Sequence, residues 1–219
     1  MTLRVGHVVT SGVFSLDGED FDVDNNIWLV GDEREVVVID AAHDHRPIVE
    51  AVAGRRVLGV LCTHGHNDHI NAAAELAEAV EAPIWLHPDD GMLWDVVYPD
   101  RRVDDSLRDG ASIAVGGEDL TILHTPGHSP GGCCIQVPSL GLVFSGDTLF
   151  NGGPGATGRS FSSHDVLVGS IRSRLFVLPD ETVVHTGHGD STTIGREARN
   201  LDGLTDGVDR DPGSPDAAS

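Results

Sequence analysis

The chain has 219 residues, of which 39% are hydrophobic and 22% charged, a composition that predicts a soluble globular protein with one large core or two fused half-domains. The formal net charge of −21 argues against nucleic acid and anionic membranes as partners, because such a surface repels their phosphates. No apolar stretch approaches the length of a transmembrane helix and the start lacks the pattern of a signal peptide, so we expect a cytoplasmic protein. The three cysteines do not make a disulfide framework, and we expect them to be small buried side chains.

The N-terminal part of the chain alternates apolar runs with polar turns, a pattern typical of strands. We expect the first strands at residues 3–10, 27–31 and 35–39. The third run ends in Asp40, which could orient a metal-binding histidine or cap the following turn. His43 and His45 lie in that turn, where we expect solvated side chains rather than metal ligands.

A cluster of three imidazoles and a carboxylate occupies residues 64–69, directly after an apolar run that predicts a buried strand. In extended backbone, residues two apart share a face, so His64 and His66 can converge on one metal ion. A helical pattern begins around Asp68 and His69, which are therefore aimed differently and could serve a second ion. A polar turn that is merely rich in histidine is the alternative, but clustered imidazole and carboxylate are the ligands that zinc and iron need.

Three later segments also place a candidate ligand after a predicted strand. These ligands are His128 in a Pro-Gly-His turn, Asp147 in Gly-Asp-Thr-Leu-Phe, and His188 in Gly-His-Gly. Residues 94–110 are polar and interrupted by Pro99, so we expect a loop or flap beside the site. Near the end of the chain Asp, Gly, Pro, Ser and Ala dominate, which predicts one folded domain over residues 1–204 and a disordered acidic tail over 205–219.

Taken together, the four motifs resemble those of the metallo-β-lactamase superfamily, and more narrowly the glyoxalase II-like (hydroxyacylglutathione hydrolase-like) metallo-hydrolases. They occur in the family's order and rough spacing between residues 5 and 200. The resemblance implies an α/β fold, a four-layer αβ/βα sandwich with a metal site in the groove between the edges of two sheets. The helical C-terminal domain of full-length glyoxalase II has no counterpart here, so the chain resembles the short form of this family.

The resemblance also implies a ligand set for two divalent metal ions, with zinc favoured and iron or manganese possible. The first ion would be held by His64, His66 and His128, and the second by Asp68, His69 and His188, with Asp147 bridging both. Asp68 and Asp147 are the candidate catalytic residues. Seven side chains are too many for one tetrahedral zinc but suit two ions that share a carboxylate.

Arg159 is the candidate substrate-binding residue, because its Gly-Arg-x-Phe segment resembles one that follows the bridging aspartate in this family. It would either orient its own loop, which we favour, or meet an anionic group of the substrate.

The function implied is hydrolysis of a small-molecule thioester by a metal-bound hydroxide. One alternative is a lactonase with the same ligands. Another is a mononuclear iron persulfide dioxygenase that uses His64, His128 and Asp147. A metal-binding protein without turnover is the remaining possibility.

Overall fold

The first half of the chain forms a six-stranded sheet in the computed structural model, which describes residues 2–16, 19–158 and 160–205. The strands are β1 (Arg4–Leu16), β2 (Glu19–Gly31), β3 (Glu35–Ile39), β4 (Arg56–Leu61), β5 (Ile84–Leu86) and β6 (Asp105–Ser106). They lie in chain order, antiparallel from β1 to β3 and parallel from β3 to β6. The parallel connections carry the helices α1 (His45–Val52), α2 (Asn67–Ile70), α3 (Ala73–Val80) and α4 (Gly91–Val97).

The second half forms another six-stranded sheet and two further helices. Its strands are β7 (Ser112–Val115), β8 (Glu118–His124), β9 (Cys133–Val137), β10 (Leu142–Gly146), β13 (Val183–Thr186) and β14 (Thr192–Thr193). Their order in the sheet is β14-β13-β10-β9-β8-β7, and only β10 and β13 are parallel. A short hairpin of β11 (Leu149–Phe150) and β12 (Gly153–Pro154) precedes α5 (His164–Ser170), and α6 (Ile194–Thr205) follows β14.

Three hydrophobic cores define the layers between and outside the two sheets. In β3, Val36 and Val38 face the core under α1, α3 and α4, whereas Val37 and Ile39 face the core between the sheets. The third core packs α5 and α6 on the outer face of the second sheet. Since successive strand residues point to opposite faces, the continuous apolar run of β3 serves two cores at once. The resulting order helix, sheet, sheet, helix confirms the predicted four-layer sandwich.

Residues 98–104 and 107–110 form the irregular loop predicted for the segment 94–110, but the segment packs into the core and is not a flap. Trp94 on α4 is 1% exposed, and its indole nitrogen donates a hydrogen bond to the Arg101 carbonyl at 2.6 Å. Leu107 is also buried, and β6 pairs with β5. The flap was predicted wrongly because the few apolar side chains that anchor the segment lie among many polar residues and form no recognisable pattern.

The structure also bears on the predictions for the cysteines and for membrane-spanning helices. The cysteines Cys62, Cys133 and Cys134 are all buried, as expected. No helix within residues 2–16, 19–158 and 160–205 combines the length and apolar character needed to cross a bilayer. The candidate Arg159 and residues 206–219 of the predicted tail lie outside the described residues, so those predictions stay as they are.

The packing of Trp94 generates a direct test of its place in the core. Trp94→Ala should lower the free energy of unfolding by about 3–5 kcal/mol, because it removes a large buried side chain. Val96→Ala on the same helix is the matched control, since Val96 is 81% exposed and its loss should cost less than about 0.5 kcal/mol. Urea unfolding of both variants measures the difference; equal small effects would show that the segment is a mobile flap.

Candidate metal centre

All seven predicted ligands lie together where strands of both sheets end. His64 follows β4, Asp147 follows β10 and His188 follows β13. Asp68 and His69 lie on α2. Donor atoms of His64, His66 and His128, here called the first donor set, lie within 4.8 Å of one another, as do those of Asp68, His69 and His188, the second donor set. The structure therefore brings together every ligand predicted from the sequence.

Two histidines of the first donor set, His64 and His128, turn one nitrogen inward and bind a protein group with the other. His66 Nδ1 and His128 Nε2 are 2.9 Å apart. On its far side, His128 Nδ1 donates to the Ala156 carbonyl at 2.8 Å. His64 Nδ1 lies 3.1 Å from Thr63 Oγ1. These outer partners leave the lone pairs of His64 Nε2 and His128 Nε2 for a cation.

The second donor set is oriented in the same way by partners from the first sheet. His69 Nδ1 donates to Asp40 Oδ2 at 2.9 Å, so Asp40 is the orienting partner of a histidine and not only a turn residue. Asp40 also accepts from the backbone and hydroxyl of Thr63. His188 Nδ1 donates to the Asp24 carbonyl at 2.7 Å. The inward atoms His69 Nε2 and His188 Nε2 are 3.1 Å apart.

Asp147 lies between the two donor sets. Its Oδ1 is 3.3 Å from His69 Nε2, and its Oδ2 is 3.6 Å from both His128 Nε2 and His188 Nε2. Among the described residues, Asp147 Oδ1 and His64 Nε2 are buried and have no hydrogen-bond partner. Buried polar atoms are almost always paired, so these two require a group that the protein does not provide. The donor atoms fit two divalent cations that share one carboxylate.

The electrostatics of the site lower the pKa of two of its imidazoles, those of His64 and His66, and raise the pKa of two others, those of His69 and His188. Burial lowers the pKa of His64 well below its usual value and that of His66 to about 4. Burial would also lower the pKa of His69, but the carboxylates of Asp147, Asp68 and Asp40 outweigh it and raise that pKa. Burial would raise the pKa of Asp147, yet His69 and the neighbouring histidines hold it well below 3.8. The negative charge of the carboxylates therefore attracts a cation or, failing that, a proton.

Asp90 is a structural residue of the site that sequence reasoning missed. It is fully buried, and its Oδ2 accepts from the Gly65 backbone at 2.8 Å and from Ser129 Oγ at 2.7 Å. Its Oδ1 accepts from the Gly131 backbone at 2.6 Å. Burial raises its pKa, although the three hydrogen bonds act in the opposite direction. One carboxylate thus joins the loop of His64 and His66 to the loop of His128, and only its position after β5 hinted at this role.

Another group of possible ligands does not have the geometry of a metal site. It consists of His87, Asp89 and His124. The two imidazole rings are stacked, with centroids 4.1 Å apart and planes 8° from parallel. A metal ion lies close to the plane of each imidazole that binds it, and parallel stacked planes cannot both contain one ion. His124 Nε2 is moreover 3.0 Å from the Pro130 carbonyl, to which it donates.

The metal centre opens into a cavity of about 400 Å³. Its lining includes the apolar side chains of Phe14 and Val23 from the β1–β2 hairpin and the hydroxyl groups of Ser160 and Ser162. Five of the predicted ligands also line it: His66, Asp68, His128, Asp147 and His188. A small molecule in this cavity would contact the inward side of both donor sets.

Comparison with known proteins adds family information to this geometry. The sequence profile of the Metallo-beta-lactamase superfamily matches residues 21–188. Hydroxyacylglutathione hydrolase GloC of Haemophilus influenzae is 31% identical over 191 residues, which cover 79% of this chain and 88% of GloC. The match therefore spans the whole candidate metal centre.

Two solved structures extend the comparison to three dimensions. TTHA1623, solved in a di-iron-bound form, is 35% identical with a TM-score of 0.73, over 81% of this chain and 94% of that one. The B3 metallo-beta-lactamase BLEG-1 is 26% identical with a TM-score of 0.76, over 90% of this chain and 100% of that one. Both structures therefore share the sandwich of this chain.

The position of Asp90 yields a test of how the first donor set is held. In Asp90→Asn, an NH₂ group must face at least one hydrogen-bond donor, so we expect a loss of about 1–3 kcal/mol in the free energy of unfolding together with lower metal content. The exposed neighbour Asp89 provides the control, because Asp89→Asn should leave both properties close to wild type. Urea unfolding and elemental analysis measure the two effects, and an Asp90→Asn protein with wild-type stability and metal content would contradict this role.

Proposed function

Because the chain belongs to the metallo-β-lactamase superfamily, we propose that it is a cytoplasmic, binuclear metal-dependent hydrolase of small thioesters. The observation that carries the proposal is the position of Asp147, within 3.6 Å of inward nitrogens from both donor sets. A carboxylate shared in this way suits two ions side by side, and a single tetrahedral ion would leave several donors unused.

In this proposal the first donor set, His64, His66 and His128, holds one ion and the second donor set, Asp68, His69 and His188, holds the other. Asp147 bridges them. When bound, two divalent ions supply Lewis acidity for a carbonyl and lower the pKa of a water molecule so that it can attack at neutral pH. Zinc is our first choice, and the di-iron form of TTHA1623 supports iron as an alternative.

The residues of the cavity support a leaving group that departs without a proton. The histidines that line it belong to the donor sets, and the outer nitrogens of His128 and His188 are committed to the carbonyls of Ala156 and Asp24. Burial lowers the pKa of His66 to about 4, so little of its protonated form is present at neutral pH. None of the described lining residues is therefore an obvious general acid. A thiolate, whose conjugate acid has a pKa near about 8.5, leaves far more readily than an alkoxide or an amine.

The similarity to GloC supports the same substrate class, since its name describes hydrolysis of an acyl group carried by the thiol glutathione. The carrier used by this chain is a separate question. The net charge of −21 disfavours strongly anionic carriers. Arg159 would have to offset that charge locally for such a carrier to bind, and we propose only a loop-orienting role for it.

The chemistry of the leaving group provides the test of this proposal. We expect kcat/KM for one acyl group to be highest on sulfur, lower on oxygen and lowest on nitrogen, with β-lactams among the poorest substrates. Asp147→Asn should reduce all three hydrolytic rates and the metal content together, by more than about 10-fold. A joint loss would show that hydrolysis takes place at this site. Equal rates on thioester and oxygen ester, or faster opening of a lactone, would contradict the thioesterase and favour the lactonase.

A mononuclear iron persulfide dioxygenase remains the second candidate. It would need only His64, His128 and Asp147 as ligands, of which His128 Nε2 and Asp147 Oδ2 are 3.6 Å apart. The structure of TTHA1623 supports iron as the metal, although it holds two ions. Oxygen uptake with a persulfide substrate by protein that contains one iron per chain would identify it, whereas a hydrolase consumes no oxygen.

A further inference from the structure

A buried amide lies against the second donor set. Asn25 Nδ2 is 3.4 Å from each of Asp68 Oδ2, His69 Nε2 and His188 Nε2. Those three atoms are themselves 3.1 to 3.7 Å apart, so the four atoms form a nearly regular tetrahedron. Asn25 is fully buried on β2 and is not among the residues that line the cavity, so it approaches the donor set from the protein side.

The orientation of this amide decides what it can do there. If its oxygen faced the donor set, Asn25 could become a further metal ligand. If its NH₂ group faced the donor set, Asn25 could only donate a hydrogen bond, because that nitrogen has no lone pair for a metal. The surrounding hydrogen bonds distinguish these orientations.

The chain of hydrogen bonds through His43 fixes the orientation, because it starts from a backbone donor. The His43 backbone N–H donates to Asn71 Oδ1 at 2.6 Å, which leaves the Asn71 NH₂ group to donate to His43 Nδ1 at 3.3 Å. His43 Nδ1 is then an acceptor, and the ring proton lies on Nε2. That Nε2–H donates to Asn25 Oδ1 at 2.8 Å, which turns the Asn25 NH₂ group toward the second donor set.

The fold holds His43 firmly in this position. Its φ of 62° is a left-handed conformation that few residues other than glycine adopt, and such residues concentrate at functional sites. Its imidazole lies against Gly12 of β1, where any Cβ atom would overlap the ring. Burial lowers the pKa of His43, which favours a neutral ring with a single proton. His43 is therefore a half-buried, hydrogen-bonded residue, in contrast to the solvated turn residue expected from the sequence.

We propose that Asn25 is a positioning residue of the second metal position, with its NH₂ group directed there by His43 and Asn71. The proposal rests on the binuclear centre proposed above. A cation takes the lone pairs of His69 and His188, so the Asp68 carboxylate is the acceptor that remains for the amide. Asn25 thus orients Asp68 and keeps its own oxygen away from the ion.

The proton on His43 is the direct test of the orientation. Long-range ¹H–¹⁵N spectra of the zinc-loaded protein show which ring nitrogen is protonated, and His43→Gln assigns the signal. We expect a neutral ring with its proton on Nε2. A proton on Nδ1 would break the chain of donors from Asn71 and overturn the proposal. This measurement uses the wild-type protein, so it holds even if a variant of Asn25 does not fold.

The affinity for the second zinc ion tests the positioning role. Asn25→Ala should lower the affinity for that ion by about 10–100-fold, as removal of an orienting partner does. The affinity for the first ion, measured in competition with a chelator, should stay unchanged. Asn200→Ala is the matched control, because it removes an asparagine of α6 that donates to Glu197 at 3.1 Å, away from both donor sets, and should affect neither ion.

The two failures are distinguishable in this titration. Wild-type protein that binds two ions, together with an Asn25→Ala protein that binds both equally well, would show that Asn25 has no positioning role while the binuclear centre stands. Wild-type protein that binds a single ion would contradict the binuclear centre and, with it, the role of Asn25.

Discussion

The lone pairs of five imidazoles and two carboxylates meet in a largely buried space, and they cannot be satisfied there by the protein alone. Burial favours neutral histidines, whereas Asp147 and Asp68 favour a positive charge beside them. In the absence of a cation this conflict falls on His69 and His188, whose pKa values are raised because the neighbouring carboxylates favour the protonated rings. The demand for positive charge explains why every inward atom of the site is a metal donor.

The fold orients four of the five imidazoles through hydrogen bonds to their outer nitrogens. The partners include the carbonyls of Ala156 and Asp24 and the carboxylate of Asp40. The two sheets are joined at the site as well, because the Asn26 backbone donates to the Gly187 carbonyl at 2.8 Å and the Trp28 indole to the Thr186 carbonyl at 3.0 Å. Each donor set is therefore oriented by groups from other elements, which suits ligands that must keep their geometry while substrates exchange.

The sequence locates the candidate donors but not the residues that orient them. The candidate donors lie in short motifs directly after apolar strands, and the structure places all seven together. Their division between two ions and the four-layer fold were implied by the resemblance of these motifs to a known family. Asp90, Asn25 and His43 act across long sequence separations, so no local pattern distinguishes them from ordinary polar residues. The flap over residues 94–110 was predicted wrongly for a similar reason. The few side chains that bury this segment are identified only by their tertiary contacts with the two cores of the first sheet.

Anomalous diffraction from crystals of protein purified without added metal tests the central claim most directly, because it counts and locates the ions in one experiment. The account expects two peaks about 3.5–4 Å apart, one beside His64, His66 and His128 and the other beside Asp68, His69 and His188. Both peaks should lie next to Asp147. A single peak held by His64, His128 and Asp147, with no density at the second donor set, would contradict the binuclear centre.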